Sequence, residues 1–117
     1  MELIIGGRAQ GKLEYAQSLN SEAAGVKIID NLQDIIYSLL KEGKDAEAET
    51  DALLVEAETE NENLIVICDE VGCGIVPIDK FERAYREIVG KICIKLAKRA
   101  GRVHRVICGI GTVIKDA

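Results

Sequence analysis

The sequence contains little of what zinc sites, membrane segments and nucleic-acid-binding surfaces need. It has one histidine, His104, and its four cysteines follow no common zinc-binding spacing. This favours buried, reduced thiols at Cys68, Cys73, Cys93 and Cys108. No apolar stretch approaches the ~20 residues that span a membrane. The net charge of −5 argues against non-specific binding of DNA or RNA, which requires a basic face.

The N-terminus also lacks the features of a secretory signal peptide. Glu2 stands where such a peptide carries basic residues, and the apolar run that follows it is too short. We therefore expect a cytoplasmic protein. A length of 117 residues is enough for one domain with one core, so we predict a single domain over residues 1–117.

The first turn of the chain carries the pattern of a phosphate-binding loop. A short apolar run, Leu3–Ile5, precedes this turn, and a helical pattern follows it. The turn has the G-x-x-x-x-G-K spacing of a P-loop and reads Gly6-Gly7-Arg8-Ala9-Gln10-Gly11-Lys12. Glycines allow backbone N–H groups to surround a phosphate, and Lys12 adds positive charge for the outer phosphates. The alternative is a tight strand-to-helix turn that needs glycine only for its backbone angles.

Position 13 departs from the P-loop pattern. A P-loop has Ser or Thr after the lysine to bind Mg²⁺, whereas this chain has Leu13, whose side chain offers no oxygen. Residues 6–13 are therefore predicted to hold phosphate but to be poorly suited to Mg²⁺.

Apolar runs alternate with helical patterns along the rest of the chain. We predict strands at about residues 2–6, 26–30, 64–68 and 103–108. Helices are predicted at about residues 11–21, from 32 to a stop at Gly43, over the acidic segment 45–62, and at 80–99, with Asn31 and Asp79 as N-caps. Unbroken apolar strands are typical of parallel sheets. We therefore predict an α/β fold, with a mostly parallel sheet of about four strands and helices on both faces.

Acidic side chains follow two of the predicted strands. Ligands bind at the carboxyl ends of parallel strands, and those ends carry Asp30, Asp69 and Glu70 beside the loop. Asp30 is a candidate Mg²⁺ ligand, with a helix cap as the alternative. Asp69 and Glu70 join Lys12 as candidate catalytic residues that orient an acceptor hydroxyl or take its proton, unless they only form loop hydrogen bonds. His104 begins the last strand and is predicted to be structural or exposed.

The segment after the third strand resembles a known family. Residues 70–77 read E-V-G-C-G-I-V-P and are similar to the E-V-G-x-G-I-V-P signature of the bifunctional adenosylcobinamide kinase / adenosylcobinamide-phosphate guanylyltransferase family. Further similar segments are Gly6–Lys12 (its phosphate loop), Ile28–Leu32 (a strand ending in an acid), Arg83–Gly90 (a long helix) and Cys108–Ile110 (a closing strand end). The resemblance covers roughly residues 1–20, 26–42 and 64–117.

The resemblance implies a P-loop NTPase-like fold and a role in cobalamin biosynthesis. That family phosphorylates the hydroxyl of adenosylcobinamide with ATP or GTP, and then transfers GMP from GTP through a guanylylated histidine. By resemblance, residues 6–12 hold nucleotide phosphates, Asp30 lies near Mg²⁺, and Glu70 lies in the active-site loop.

The chain departs from that family in several places. The family has a long segment before the strand that ends at Asp30, and this segment carries the guanylylated histidine. Here Ser21–Val26 bridges the gap and the histidine has no counterpart, so the guanylyltransferase step is expected to be absent. The serines of the family's loop are Gln10 and Leu13 here, and the Asn before the signature Glu is Asp69.

Three functions fit these patterns. The first is a phosphotransferase that acts on a cobinamide, supported by Lys12, Asp30 and Glu70. The second is a non-catalytic nucleotide-binding relative, a regulator or an assembly subunit, supported by Leu13. The third is an interaction module whose acidic segment 45–62 docks a basic partner, although a solvated surface helix is the simpler interpretation of that segment.

A homo-oligomer is also expected, and the resemblance implies a trimer. Three apolar residues of the long helix, Val89, Cys93 and Ile94, lie off its main apolar face. They are predicted to serve a subunit interface that also covers an edge of the sheet.

Overall fold

The computed structural model describes residues 1–19, 26–61, 63–71 and 79–117. Within these residues, five strands and four helices follow one another in the order β1 (Glu2–Gly6), α1 (Lys12–Leu19), β2 (Val26–Ile29), α2 (Leu32–Lys41), α3 (Ala46–Glu60), β3 (Asn63–Asp69), α4 (Lys80–Arg99), β4 (Arg102–Ile107) and β5 (Ile110–Asp116). Residues 72–77 of the signature, with Cys73, and the end of the predicted first helix lie outside the described residues. None of the described helices is long and apolar enough to cross a membrane.

The strands form one sheet in the order β2-β3-β1-β4-β5. β1 is parallel to both β3 and β4, and β2 is parallel to β3. The predicted mostly parallel α/β sheet is therefore confirmed. The predicted number of about four strands is too low, because the sheet has a fifth strand, β5, that pairs antiparallel with β4 at its edge. Cys108 and Gly109 join these strands with φ values of 51° and 76°, and a two-residue turn with positive φ reverses the chain into a hairpin.

Helices cover both faces of the sheet, as predicted. α2, α3 and α4 pack on one face around Leu3, Leu32, Leu54 and Leu96. α1 covers the other face, where Ala16 packs with Ile4, Ile65, Ile67 and Val106. The central strands are buried on both sides, which explains their unbroken apolar sequences.

The caps of the helices agree with the sequence in part. Asp79 accepts hydrogen bonds from the N–H groups of Phe81 and Glu82 at the start of α4. Gly43 takes a left-handed conformation just after α2, as the predicted stop requires. Asn31 does precede α2, but its side chain does not cap that helix. Its φ of 54° turns the side chain away from capping geometry, and Oδ1 accepts a hydrogen bond from Gln33 instead.

The acidic segment forms the predicted helix, α3, with one side in the core. Ala46, Thr50, Leu54 and Ala57 are buried on that side. Several of its acids face basic residues of α4: Glu47 pairs with Lys95, and both Asp51 and Glu58 pair with Arg99. α3 is therefore more than a solvated helix, because it contributes side chains to the core.

Two predictions about individual side chains are wrong. Val89 is 2% exposed and belongs to the core, so it cannot serve a subunit interface, whereas Ile94 is exposed. Cys108 is exposed rather than buried, because it lies in the β4–β5 turn.

Cys68 is buried, and its Sγ lies 3.6 Å from Sγ of the half-buried Cys93. Contact with Cys93, together with burial, raises the pKa of the Cys68 thiol.

Candidate functional site

The glycine-rich loop joins β1 to α1 at the carboxyl edge of the parallel strands. Its backbone is tightly curved, with φ values of 58° at Ala9 and 84° at Gly11. A Cβ atom at position 6 would lie 2.5 Å from the carbonyl oxygen of Val106, so Gly6 permits close contact between β1 and β4. This close contact is a structural reason for glycine at position 6. At Gly11, the positive φ turns the chain from the loop into the N-terminus of α1.

Lys12 and Asp69, two of the candidate catalytic residues, are in direct contact. Lys12 Nζ lies 2.7 Å from Asp69 Oδ1, and it also donates to the carbonyl oxygen of Gly7 at 2.5 Å. The side chains are 7% and 16% exposed, respectively. Because β3 lies next to β1, the last residue of β3 is brought beside the first residue of α1. Lys12 is thus held inward, across the mouth of the loop.

One cavity of about 610 Å³ brings the sequence candidates together. It is lined by loop residues 8–14, by residues 30, 31, 33 and 34 at the start of α2, by residues 69–71 after β3, and by Tyr85 of α4. Lys12, Asp30, Asp69, Glu70 and Leu13 therefore border the same space. The lining does not include Gly6 and Gly7 of the loop.

Asp30 lies between β2 and α2, where its Oδ1 accepts a hydrogen bond from the N–H of Asn31 at 2.9 Å. Among the described residues, no donor contacts its other oxygen. Within this part of the chain, no three acidic, histidine or cysteine side chains are close enough to hold a metal ion by themselves. Any Mg²⁺ here would complete its coordination with water or a bound substrate, as is common for this ion.

Asp69 and Glu70 point in different directions, although they are adjacent in sequence. Successive side chains of an extended chain face opposite sides. Glu70 Oε2 accepts a hydrogen bond from Arg105 Nη2 at 3.3 Å, while its backbone N–H donates to Gly6 at 2.8 Å. The two acids are therefore separate groups, one paired with Lys12 and one with Arg105, and not a coupled carboxylate pair.

Sequence analysis placed Gln10 in the loop without its contact to the β4–β5 turn, and it missed Arg105 and Tyr85 as residues of the site. Gln10 connects the loop to the β4–β5 turn, because its Oε1 accepts from the N–H of Cys108 at 2.7 Å. Arg105 pairs with Glu70 from the middle of β4, and a charged residue between the buried Val103 and Val106 is a signal that could have revealed it. Tyr85 donates to the carbonyl oxygen of Gln33, and burial raises the pKa of Tyr85 to about 12.

Among the described residues that line the cavity, acidic side chains outnumber basic ones. Arg8 and Lys12 are basic, whereas the acidic lining residues are Glu14, Asp30, Asp34, Asp69 and Glu70. A bound polyphosphate would add further negative charge. The lining therefore favours an anionic ligand only if a cation accompanies it.

The single histidine of the sequence lies outside this cavity, on the α1 face of the sheet. His104 is 1% exposed. Its Nε2 lies 2.9 Å from Glu2 Oε1, and its Nδ1 lies 2.8 Å from the hydroxyl of Tyr15. A carboxylate only accepts, so Nε2 donates to Glu2, while Nδ1 forms its hydrogen bond with the hydroxyl of Tyr15. Both ring nitrogens are thus occupied, in agreement with the predicted structural role.

Comparison with known proteins points to the same family as the signature. The family described as cobinamide kinase / cobinamide phosphate guanyltransferase matches residues 9–114. Two curated relatives are each named bifunctional adenosylcobalamin biosynthesis protein CobU. The relative from Escherichia coli K12 is 35% identical over 68 residues, which are 58% of this chain and 38% of that protein. The relative from Salmonella typhimurium LT2 is 40% identical over 52 residues, which are 44% of this chain and 29% of that protein.

The match spans less than two fifths of either curated relative. Along this chain, however, the family match runs from the glycine-rich loop through the acidic strand ends to β5. It thus includes nearly all of the elements that build the cavity. The chain belongs to the cobinamide kinase / cobinamide phosphate guanyltransferase family.

Proposed function

We propose that this protein is a kinase-like phosphotransferase of cobalamin biosynthesis that uses ATP or GTP to phosphorylate the hydroxyl of adenosylcobinamide. The observation that carries the proposal is the convergence of Lys12, Asp30, Asp69 and Glu70 on one cavity at the mouth of the glycine-rich loop. Family membership and the names of the curated relatives support the substrate class.

In this proposal, residues 6–13 bind the nucleotide phosphates through backbone N–H groups and the dipole of α1. Lys12 turns from Asp69 towards the outer phosphates and offsets the charge that develops during transfer. Asp69 and Glu70 are proposed to position the acceptor hydroxyl and take its proton. Such positioning and charge stabilisation account for most of the catalysis of phosphoryl transfer.

Asp30 is the proposed Mg²⁺ ligand. Leu13 supplies no hydroxyl, but the excess of carboxylates around the cavity provides oxygen ligands of the kind that this ion prefers. A divalent cation bound together with the nucleotide would offset the negative charge of the phosphates and of the lining. In this proposal, Asp30 and Asp69 approach such a cation from the ends of the neighbouring strands β2 and β3.

The guanylyltransferase step is proposed to be lost. That step would need a nucleophile that carries GMP, and the one histidine of the chain, His104, is buried with both ring nitrogens hydrogen-bonded. An adduct at either nitrogen would have to displace Tyr15 or Glu2 from a closed site. The protein would then release the phosphorylated corrinoid without transferring GMP.

The direct test is transfer of labelled γ-phosphate from GTP and from ATP to cobinamide, with and without Mg²⁺. The same reactions with α-labelled GTP report any guanylylation of the protein. We expect phosphorylated cobinamide and no labelled protein. The variant Lys12→Ala should lose nucleotide binding and turnover, whereas Lys91→Ala, an exposed lysine of α4, should retain both. Unchanged nucleotide affinity in Lys12→Ala would exclude the loop as the site.

A second candidate is a nucleotide-binding protein without transfer activity. Leu13 in the loop and the Lys12–Asp69 pair favour this alternative, because both oppose the usual arrangement of a P-loop lysine and metal. Calorimetry that detects nucleotide binding indifferent to Mg²⁺, together with no turnover on cobinamide, would select it. Binding of neither nucleotide would point instead to an interaction module.

We also propose a homo-oligomer, a trimer by resemblance. Apolar side chains remain exposed on α4 and around β5, namely Ile94, Ile107, Ile110, Val113 and Ile114. An edge strand with exposed apolar residues is usually covered in a stable protein. Sedimentation equilibrium should give a mass of three chains, and a stable monomer would refute this part of the proposal.

A further inference from the structure

Gln33 is a buried polar residue in the first turn of α2. Its side chain is 5% exposed, in a position where the neighbouring Leu32 and Ile36 form part of the apolar core. A polar group in such a place destabilises the protein unless its hydrogen bonds are satisfied. Its partners therefore indicate what it does.

The two ends of the Gln33 amide contact two different strand ends. Oε1 accepts from the backbone N–H of Asp69 at 3.0 Å, and Nε2 donates to Asn31 Oδ1 at 3.2 Å. A backbone N–H can only donate, so the orientation of the amide follows from its partner. The carbonyl oxygen of Gln33 itself accepts from the hydroxyl of Tyr85 at 3.2 Å, which anchors this turn to α4.

The short length of β2 explains why Asp69 needs this partner. β2 pairs with β3 only as far as Ile29, which lies opposite Val66. On the other side of β3, the N–H of Glu70 donates to Gly6 of β1. Successive N–H groups of a strand alternate in direction, so the N–H of Asp69 faces the side that β2 has already left. Gln33 supplies the acceptor that a longer β2 would have provided.

We propose that Gln33 is a positioning residue of the site. By holding the backbone of Asp69, it places the carboxylate of that residue within 2.7 Å of Lys12 Nζ. By holding Asn31, it fixes the segment that carries Asp30. One side chain thus couples the acidic ends of β2 and β3 to the lysine of the loop. The inference rests on the proposed function, since it assumes that these residues bind nucleotide.

The first experiment uses the protein without added nucleotide and compares Gln33→Met, Gln33→Glu and Ile36→Val by NMR. Met has similar length but accepts no strong hydrogen bond, whereas Glu keeps an acceptor for Asp69. Ile36→Val removes core volume from the same helix. We expect the amide of Asp69 to exchange about tenfold faster in Gln33→Met, and the side-chain signals of Lys12 to shift. Gln33→Glu should keep the slow exchange of Asp69, and Ile36→Val should change neither readout.

The second experiment measures the affinity for GTP and ATP with Mg²⁺ in wild type, Gln33→Met and Ile36→Val. Gln33→Met should bind about tenfold more weakly, and Ile36→Val should bind as the wild type does. Unchanged Lys12 signals in Gln33→Met, or equal loss of affinity in Ile36→Val, would overturn the positioning role. If the wild type binds neither nucleotide, the proposed function fails, and the Asp69 and Lys12 signals still decide whether Gln33 positions them.

Discussion

The ammonium group of Lys12 lies 2.7 Å from the carboxylate of Asp69. A phosphate that binds at the loop must compete with this carboxylate for the ammonium group of Lys12. The side chain of Asp69 is only 16% exposed, so water screens this competition little.

Asp69→Asn should therefore strengthen nucleotide binding in the absence of Mg²⁺. The substitution keeps the shape and the backbone N–H of residue 69 but frees Lys12 and removes one negative charge from the cavity. We expect affinity for GTP or ATP without metal to rise by on the order of tenfold, and the gain on adding Mg²⁺ to shrink. Calorimetry in EDTA and in Mg²⁺ measures both.

Asp34→Asn is the matched control, because it removes the same charge from another acid that lines the cavity on α2. It should change metal-free binding less than Asp69→Asn does. Weaker metal-free binding in Asp69→Asn would contradict competition for Lys12.

The titration of Tyr85 should lower stability at high pH. Burial raises its pKa from the ordinary value of 10 to about 12, so the folded protein holds the phenol proton more tightly than the unfolded chain does. This contribution is fully present below about pH 10 and is lost as pH rises towards 12. The free energy of unfolding should therefore fall more steeply over this range in wild type than in Tyr85→Phe. Chemical denaturation at several pH values measures the difference, and parallel profiles would contradict it.

Gly111 of β5 is predicted to tolerate no side chain. A Cβ atom there would lie 2.1 Å from the ring of Tyr15, whose hydroxyl is bonded to His104. Gly111→Ala must displace this ring, so we expect a loss of about 1–3 kcal/mol in unfolding free energy. Gly90 in α4 has open space around its Cβ position, and Gly90→Ala should stabilise by about 0.5–1 kcal/mol through helix propensity. Thermal denaturation of both variants measures these two changes in stability. Equal changes in Gly111→Ala and Gly90→Ala would contradict the prediction.

Helix α3 is predicted to be a stable part of the core rather than a detachable acidic segment. Leu54 is fully buried, whereas its neighbour Val55 is 55% exposed. Leu54→Ala should cost about 2–5 kcal/mol of unfolding free energy, because a cavity would form between α3 and the sheet. Val55→Ala should change stability by less than about 0.5 kcal/mol. Urea denaturation that shows a small loss for Leu54→Ala would mean that α3 packs loosely.

Much of the P-loop NTPase-like fold could be predicted from the sequence, because local patterns specify its elements. β1 and α4 have the predicted bounds, since an unbroken apolar run and a capped helix with a long apolar stripe are local signals. β5 was missed, because its turn residues Cys108 and Gly109 do not form a common hairpin pair, and its side chains are mostly exposed. The sequence predicted Asn31 as a side-chain cap from its residue type alone. It forms no capping hydrogen bond, because its backbone is in the left-handed conformation.

The sequence by itself determined which residues gather at the site. Lys12, Asp30, Asp69 and Glu70 each follow a strand, and a parallel sheet brings such positions to one edge. Only the tertiary structure decided how they pair, because the pairing depends on the strand order and on the point where β2 ends. It joined Lys12 to Asp69 across neighbouring strands, turned Glu70 towards Arg105, and placed Gln33 against a backbone N–H that β2 does not reach. No local pattern records such contacts, since their partners lie up to 57 positions apart, from Lys12 to Asp69.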